Sequence, residues 1–351
     1  MKLICTHCGT VLDKGTRLCT NIERKCPPGG LSILFGPGEH INDVEVLSEP
    51  YILRTSALYR AKQGREAVWL KVAHKDYHDR LKMEVSLLAG NDLHPAYFKL
   101  RSVAIGEQRP YGKFTTQGEV KYYALYEYVE GRFLREILDQ KQMYLPQRAV
   151  WLVIGLADMI AFLHIRLGKL LLNLSPDTIY VRMDKEGIPR PMLADFSLAS
   201  RPEEVRPAWF EAVWKAAYLA PEQVNGRGCE ARTDVYALGL IQYELLTGEP
   251  PFSALSSVEV RALVNKTKPL LRQRRPELAQ GISDLADQAL EKDPARRPPD
   301  VRTFAKGLRM LVGEVPPEKR GRQIDIRLIA VAAFVVMVIL IGFTLWLLTR
   351  S

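Results

Sequence analysis

The sequence predicts an α+β chain of two unequal lobes, strand-rich first and helical second. A small cysteine module precedes them and a single membrane-spanning helix follows. Three observations predict it. Residues 44–130 alternate apolar and polar in strand fashion around one helical stretch. Residues 145–312 place apolar side chains at helical spacing, as at Ala149, Val150, Leu152, Leu156, Ala157, Ile160, Ala161 and Leu163. The two ends depart from both patterns. Four of the five cysteines fall within the first 26 residues, and positions 328–349 run for 22 residues without a charge. With 351 residues, 47% hydrophobic and 25% charged, the chain is not a disordered, collagenous or low-complexity one. Five cysteines are too few for a disulfide-built scaffold.

The cysteine module spans residues 1–30. Cys5-x2-Cys8, then Cys19, then Cys26 reads, in a reducing compartment, as a set of thiolate ligands for zinc. Gly9 gives the first knuckle the backbone freedom of a tight metal turn. About 30 residues hold too little core to fold alone, so the metal supplies much of the stability. Four thiolates leave no open position, which makes the site structural rather than catalytic. The second pair is looser, with six residues between Cys19 and Cys26, and His7 could compete as a ligand. Reduced pairs without metal and a redox pair are the alternatives. Cys229 stands alone and reads as a small buried hydrophobe. Pro-Pro-Gly-Gly at 27–30 and Gly-Pro-Gly at 36–38 mark breaks, so 31–43 is expected to be linker.

The large domain, 44–312, carries motifs in a fixed order: Ala194-Asp195-Phe196-Ser197, Ala220-Pro221-Glu222, Thr233-Asp234-Val235-Tyr236-Ala237-Leu238-Gly239, and Asp293-Pro294-Ala295-Arg296-Arg297-Pro298. Upstream stand Val68-Trp69-Leu70-Lys71, then Glu84 within Met83-Glu84-Val85, then Leu125-Tyr126-Glu127-Tyr128-Val129-Glu130-Gly131. This series resembles eukaryotic-type Ser/Thr protein kinases. The resemblance implies a bilobal protein-kinase-like fold. It makes Lys71 the phosphate-pairing lysine, Glu84 its partner on the first large helix and Asp195 the magnesium ligand, with Tyr126 at the gatekeeper position. Glu222 and Arg297 match the family's tie to the activation segment, and Asp234 matches the residue that caps the catalytic-loop backbone.

The chemical positions depart from that pattern. Leu171-Leu172-Asn173-Leu174-Ser175-Pro176-Asp177-Thr178 occupies the catalytic loop, where the family has H-R-D-L-x-x-x-N. Asn173 replaces the base and Thr178 the second metal ligand, so no catalytic residue is secure. Losing a general base costs about 10²–10⁴-fold in rate. The glycine positions of the nucleotide loop fall on Tyr51, Leu53 and Ser56. Trp69 lies two residues from Lys71 in a strand and so faces the same cleft, where it is expected to occlude adenine. Lys71, Glu84 and Asp195 then read as vestigial ATP and magnesium positions, or as a buried charge network kept for its own sake. No Ser or Thr lies between 201 and 221 to serve as a phosphorylation switch. His74 and His78, four apart, read as a solvated helix face rather than a metal pair.

Residues 313–327 form a basic juxtamembrane linker and 328–349 the span, about 33 Å long as a helix against a hydrocarbon core of about 30 Å. Lys319, Arg320, Arg322 and Arg327 against Asp325 keep the preceding chain in the cytoplasm, with Arg350 and Ser351 beyond the span. The expectation is a single-pass, tail-anchored protein. No apolar run near the N-terminus has signal-peptide character. The leading functional expectation is a membrane-tethered pseudokinase, an interaction scaffold or allosteric regulator with protein partners. A weakly active or atypical ATP-dependent Ser/Thr kinase is the alternative. A nucleic-acid binder acting through the zinc ribbon is a minor one. The net charge of +9 permits nucleic acid, but residues 1–30 contain no Phe, Tyr or Trp on which bases could stack. The sequence carries no signal for an oligomeric state.

Overall fold

The computed structural model describes residues 2–318 except 22–25, 27, 91, 105–108, 143, 211–215 and 253–256, and the expected span 328–349 lies outside the described residues. Met1–Val315 form one compact unit. Strands β1 (Lys2–Cys5), β2 (Val11–Asp13) and β3 (Leu31–Leu34) make a three-stranded antiparallel sheet with β1 in the middle. The larger sheet follows, with β4 (His40–Ile41), β5 (Val44–Val46), β6 (Tyr51–Ile52), β7 (Ser56–Gln63) and β8 (Glu66–Ala73). After helix α1 (His78–Leu88) come β9 (Leu100–Arg101), β10 (Gly112–Thr116) and β11 (Glu119–Glu127). Their order is β10-β11-β8-β7-β5-β4, with β6 paired to β7 and β9 to β11.

Alternation along β8 explains why this sheet has two cores. Val68, Leu70 and Val72 point to one face, where they meet Tyr59, Leu125, Ile4, Ile33, Leu34 and Phe35. Trp69 and Ala73 point to the other, toward the helical lobe. A sheet that is apolar on both faces must be covered on both. The cysteine segment covers the outer one. Residues 31–34, expected as linker, therefore form β3 and register against β1, Leu31 opposite Cys5 and Leu34 opposite Lys2. The Phe35 N–H donates to the Tyr59 hydroxyl at 3.1 Å. His74 departs from expectation too. It precedes α1 and is buried, its Nε2 3.2 Å from the Leu53 carbonyl oxygen, while His78 stacks on Tyr122.

The helical lobe begins with β12 (Arg132–Phe133), α2 (Leu134–Asp139) and α3 (Pro146–Leu167). Pro146 opens α3 without losing a ladder hydrogen bond, and Gly168 closes it at φ 62°, a left-handed conformation that glycine adopts freely. Among the described residues α3 is the one helix long and apolar enough to cross a membrane, but it packs inside the lobe against α5 (Ala231–Thr247), α9 (Val301–Val312) and the strand at Pro189–Leu193. Strands β13 (Ile179–Met183) and β14 (Pro189–Leu193) join β12 in a small sheet at the junction of the lobes. The loop before β13 and the turn after β14 thus both open onto the cleft. The remaining helices are α4 (Pro221–Val224), α6 (Ser257–Lys266), α7 (Leu271–Arg274) and α8 (Gln280–Ala289).

Candidate functional site

Lys71 leaves β8 into the cleft between the lobes. Its Nζ donates to both Glu84 oxygens at 2.7 Å and to Asp195 Oδ1 at 2.6 Å. All three side chains have no solvent exposure. The Asn173 amide donates to Asp195 Oδ2, and the Ser197 N–H to Oδ1 at 3.3 Å, so both oxygens of Asp195 are engaged within the chain. The Tyr126 hydroxyl donates to Glu84 Oε1 at 3.0 Å. One ammonium faces two carboxylates here, and the buried Arg54 brings a second cation within electrostatic reach of Asp195. Burial pushes the Glu84 carboxyl up to about 7, against the pull of Lys71. Burial alone would lower Lys71, but Asp195 and Glu84 more than offset it and hold Lys71 above the ordinary lysine value.

Trp69 fills the space beside this triad. It is fully buried and packs against Tyr51, Phe98, Tyr128, Phe133 and Tyr180, with ring centroids 5.6 to 6.1 Å away. Tyr180 meets it from the helical lobe, edge to face at 80°. Gly131 lets the chain pass this ring, since a Cβ there would lie 2.6 Å from Tyr180 Cε1. The Trp69 indole Nε1 has no hydrogen-bond partner among the described residues. Above it, the Tyr51 ring lies 4.7 Å from Phe133, and its hydroxyl donates to Glu136 Oε1 at 3.1 Å. Leu53 and Ser56, at the other two positions matched to the nucleotide-loop glycines, are buried.

The catalytic loop keeps its backbone support. The Leu171 and Leu172 N–H groups donate to Asp234 Oδ2 and Oδ1, each at 2.8 Å, and His164 Nε2 lies 2.8 Å from Oδ2. Leu172 holds φ 63°, a conformation costly for a residue with a Cβ. Its side chain joins Leu170, Leu198, Phe210 and Cys229 in an apolar cluster, which also bears out the reading of Cys229 as a buried hydrophobe. The Thr178 hydroxyl lies 3.0 Å from the carbonyl oxygens of Asn173 and Ser175, folded back into its own loop. Arg297 donates to both oxygens of Glu222 at 2.7 and 2.9 Å, and Thr233 Oγ1 donates to Oε1 at 2.8 Å. In the activation segment Trp209 stacks under the Arg80 guanidinium of α1, 3.5 Å from ring centroid to Cζ.

The second candidate site is the cysteine cluster. The Sγ atoms of Cys5, Cys8, Cys19 and Cys26 all lie within 4.8 Å of one another. A tetrahedral zinc with bonds of about 2.3 Å needs sulfurs about 3.8 Å apart, so four thiols gathered this closely fit the ion. Cys8 and Cys19 stand 3.5 Å apart. Burial pushes the Cys5 and Cys26 thiols up, while at Cys8 burial is outweighed by hydrogen bonds from Thr10 and the neighbouring thiols, which bring it down to about 7.

The structure brings Lys71, Glu84, Asp195, Asn173 and Trp69 together, and gathers the four cysteines separately. Sequence reasoning missed the ring set around Trp69. Tyr180 follows Thr178 by two positions and Phe133 stands in β12, and two aromatics entering one cleft were the available signal. It also missed the Arg80–Trp209 stack, which no motif marks.

Comparison with known proteins finds a family match, the protein kinase domain, over residues 57–306. The mouse serine/threonine-protein kinase ULK3 is 29% identical over 247 residues, covering 68% of this chain and 48% of its own length. Serine/threonine-protein kinase PknB of Mycobacterium leprae is 32% identical over 190 residues, covering 52% of this chain and 29% of its own length. A probable serine/threonine-protein kinase of Clostridium perfringens is 31% identical over 185 residues, 52% of this chain and 26% of its own length. The chain therefore matches about half or less of the length of each of these relatives.

Proposed function

The chain belongs to the protein kinase domain family, and from that premise we propose that it is a membrane-tethered pseudokinase. On this reading it is an interaction scaffold or allosteric regulator that acts on protein partners rather than by phosphoryl transfer. The observation that carries the reading is Trp69, fully buried in a box of five aromatic rings where the family places adenine. The replacements around it agree. Asn173 holds Asp195 with its amide instead of presenting a carboxylate to a substrate hydroxyl, and Thr178 bonds to its own loop. The scaffold pairs Glu222–Arg297 and Asp234 with the loop backbone persist, which suits a protein whose surface matters more than its chemistry. The four thiols would hold a structural zinc, and the 328–349 span would be the tether, with the basic 313–327 segment on the cytoplasmic side.

A second reading, a weakly active Ser/Thr kinase, draws on the assembled Lys71–Glu84–Asp195 triad. Those residues would pair phosphates and hold magnesium if nucleotide entered. Phosphoryl transfer is mostly positioning and charge neutralisation, so an amide at 173 alone would not abolish it. The full chain, incubated with labelled ATP and magnesium or manganese, separates the two. No incorporation beyond the Asp195→Ala protein, with both equally folded, is the pseudokinase result. Incorporation that disappears with Asp195→Ala makes the protein an atypical kinase.

A further inference from the structure

Between α3 and α9 the helical lobe carries a groove that neither the triad nor the cysteines use. Its volume is about 640 Å³. On the α3 side its lining is apolar, with Ala161, Phe162 and Ile165, and Ile165 is 59% exposed. On the α9 side stand Arg302, Lys306 and Arg309. Spacings of four and three put them on one face of the helix, about 10 Å from first to last. The three cations are not equivalent. Arg309 donates to both Asp158 oxygens at 2.6 Å and to Glu314 at 3.0 Å. Arg302 and Lys306 are exposed and have no counter-ion among the described residues. The carboxylates that line the groove are committed elsewhere, Asp158 to Arg309 and Asp300 to the Thr303 N–H at 2.7 Å. At the groove's edge His94 accepts the Ala96 N–H on Nδ1 at 3.2 Å, which leaves its Nε2 to carry the ring proton. The groove therefore offers cations and donors whose acceptors must come from outside.

We propose that this groove docks an acidic segment of a partner protein, with Arg302 and Lys306 holding two carboxylates and an apolar side chain lying on Phe162 and Ile165. The inference goes beyond the reading of the cleft, since it holds whether or not Trp69 excludes nucleotide. Charge complementarity selects the occupant. Like charges four apart on a helix repel one another, and a bound anion relieves that repulsion. Their Cα atoms lie about 6 Å apart, close to the 6–7 Å between alternate residues of an extended chain. The groove thus reads an acidic pair two or three positions apart, with an apolar neighbour for the α3 side. Nucleic acid fits less well. Among the described residues lining the groove there is no exposed Phe, Tyr or Trp on which a base could stack, because Phe162 is half-buried and edge-on to His94 at 5.6 Å. A bilayer surface is flat, whereas the apolar residues line a cavity between two helices that a peptide side chain can enter.

The test presents the full chain, in neutral detergent at low salt, to a library of random peptides displayed on phage. The expected result is a family of peptides rich in Asp and Glu beside Leu, Ile or Phe. The tightest of them, synthesised and labelled, is then titrated by fluorescence anisotropy. Arg302→Glu with Lys306→Glu should bind it about tenfold more weakly, since two exposed ion pairs are lost and turned repulsive. Neither side chain has a partner in the fold, so this variant should melt where wild type does. Arg272→Glu with Arg296→Glu makes the same change in net charge at exposed positions outside the groove and should bind as wild type does. A library that yields no acidic family overturns the proposal. So does an acidic family whose binding survives the double reversal, or falls equally in the Arg272 and Arg296 control, because net charge alone then accounts for it. If no acidic peptide is selected and glycerophosphoserine, a soluble lipid headgroup, binds wild type but not the reversed protein, the groove serves a lipid surface and the peptide proposal falls. Should the reversed protein melt well below wild type, Arg302→Gln with Lys306→Gln decides by the same titration: weakened binding supports the proposal, and unchanged binding overturns it.

Discussion

Replacing Trp69 by alanine and by phenylalanine tests the cleft reading with a magnitude. Trp69 has no exposed surface, and a buried aromatic of this kind removes roughly 150–250 Å² from water, about 4–6 kcal/mol as an upper bound. Measured losses for core aromatics cut to alanine run at about 3–5 kcal/mol. Against this stands the indole Nε1, buried without a partner, whose removal relieves about 1–3 kcal/mol of desolvation. The difference puts the expected loss for Trp69→Ala at about 2 kcal/mol, with about 4 kcal/mol as its upper end. Trp69→Phe removes the same orphan donor but keeps most of the packing against Tyr51, Phe133 and Tyr180, so its loss should stay within about 1 kcal/mol. Urea unfolding followed by circular dichroism reads both values, and thermal shift with magnesium ATP reads the second consequence. Trp69→Ala, having an empty slot, should gain a nucleotide-dependent shift that wild type lacks. The reasoning fails if Trp69→Ala unfolds within about 0.5 kcal/mol of wild type, the range of an ordinary surface change. It fails equally if wild type shows the same nucleotide shift as the variant.

Four further outcomes follow from the same geometry. Cys8→Ser should lower the zinc bound per chain to background, measured by elemental analysis, and lower the melting temperature, since β1 and β3 share a core with the large sheet. Arg297→Ala strands Glu222 in the interior and should cost about 3–5 kcal/mol in a denaturant titration, whereas Arg297→Met with Glu222→Leu should cost less. Asp234→Ala removes the acceptor of both the Leu171 and Leu172 N–H groups and should cost about 2–4 kcal/mol, read by the same titration. Glu84, raised by burial to about 7 in the fold from an ordinary carboxyl value of 4.5, binds its proton more tightly folded than unfolded. Its contribution to stability is therefore complete below pH 4.5 and is lost as pH rises through 7. Unfolding free energies measured from pH 5 to 8 should fall in wild type relative to Glu84→Gln, and parallel curves would refute the assignment.

The two lobes and the ordered motifs were legible because each rests on a local signal: strand alternation, helical spacing, or a short run such as Ala220-Pro221-Glu222. Trp69 was legible for the same reason, as period two along β8 puts it beside Lys71. The cover over the outer face was not read, although its signal was present. Val68, Leu70 and Val72 make the other face of β8 as apolar as the first, and a sheet so built needs a partner on both sides. Reading 31–43 as linker, on the breaks at 27–30 and 36–38, hid the strand at Leu31–Leu34. The ring set was illegible for a different reason. Tyr51, Phe133 and Tyr180 come from three elements far apart in sequence, and only the closing of the lobes brings them onto one indole.

The obstacles to nucleotide in this cleft differ in kind, and the difference decides which replacement matters most. The electrostatic one is exchangeable. Asp195 is held by Lys71, Asn173 and the Ser197 N–H, but a triphosphate with its magnesium would bring new partners for the same charges. The steric one is not. On the proposed reading no ligand can supply an adenine ring with space that Trp69 already occupies among Tyr51, Phe98, Tyr128, Phe133 and Tyr180. If Trp69 excludes nucleotide as proposed, restoring carboxylate and amide at 173 and 178 would rebuild a reaction centre with nothing bound to react, whereas emptying position 69 would admit a nucleotide to a centre with an amide at the base position. On the occluded-slot reading the family's chemistry is blocked here at access first and at catalysis second.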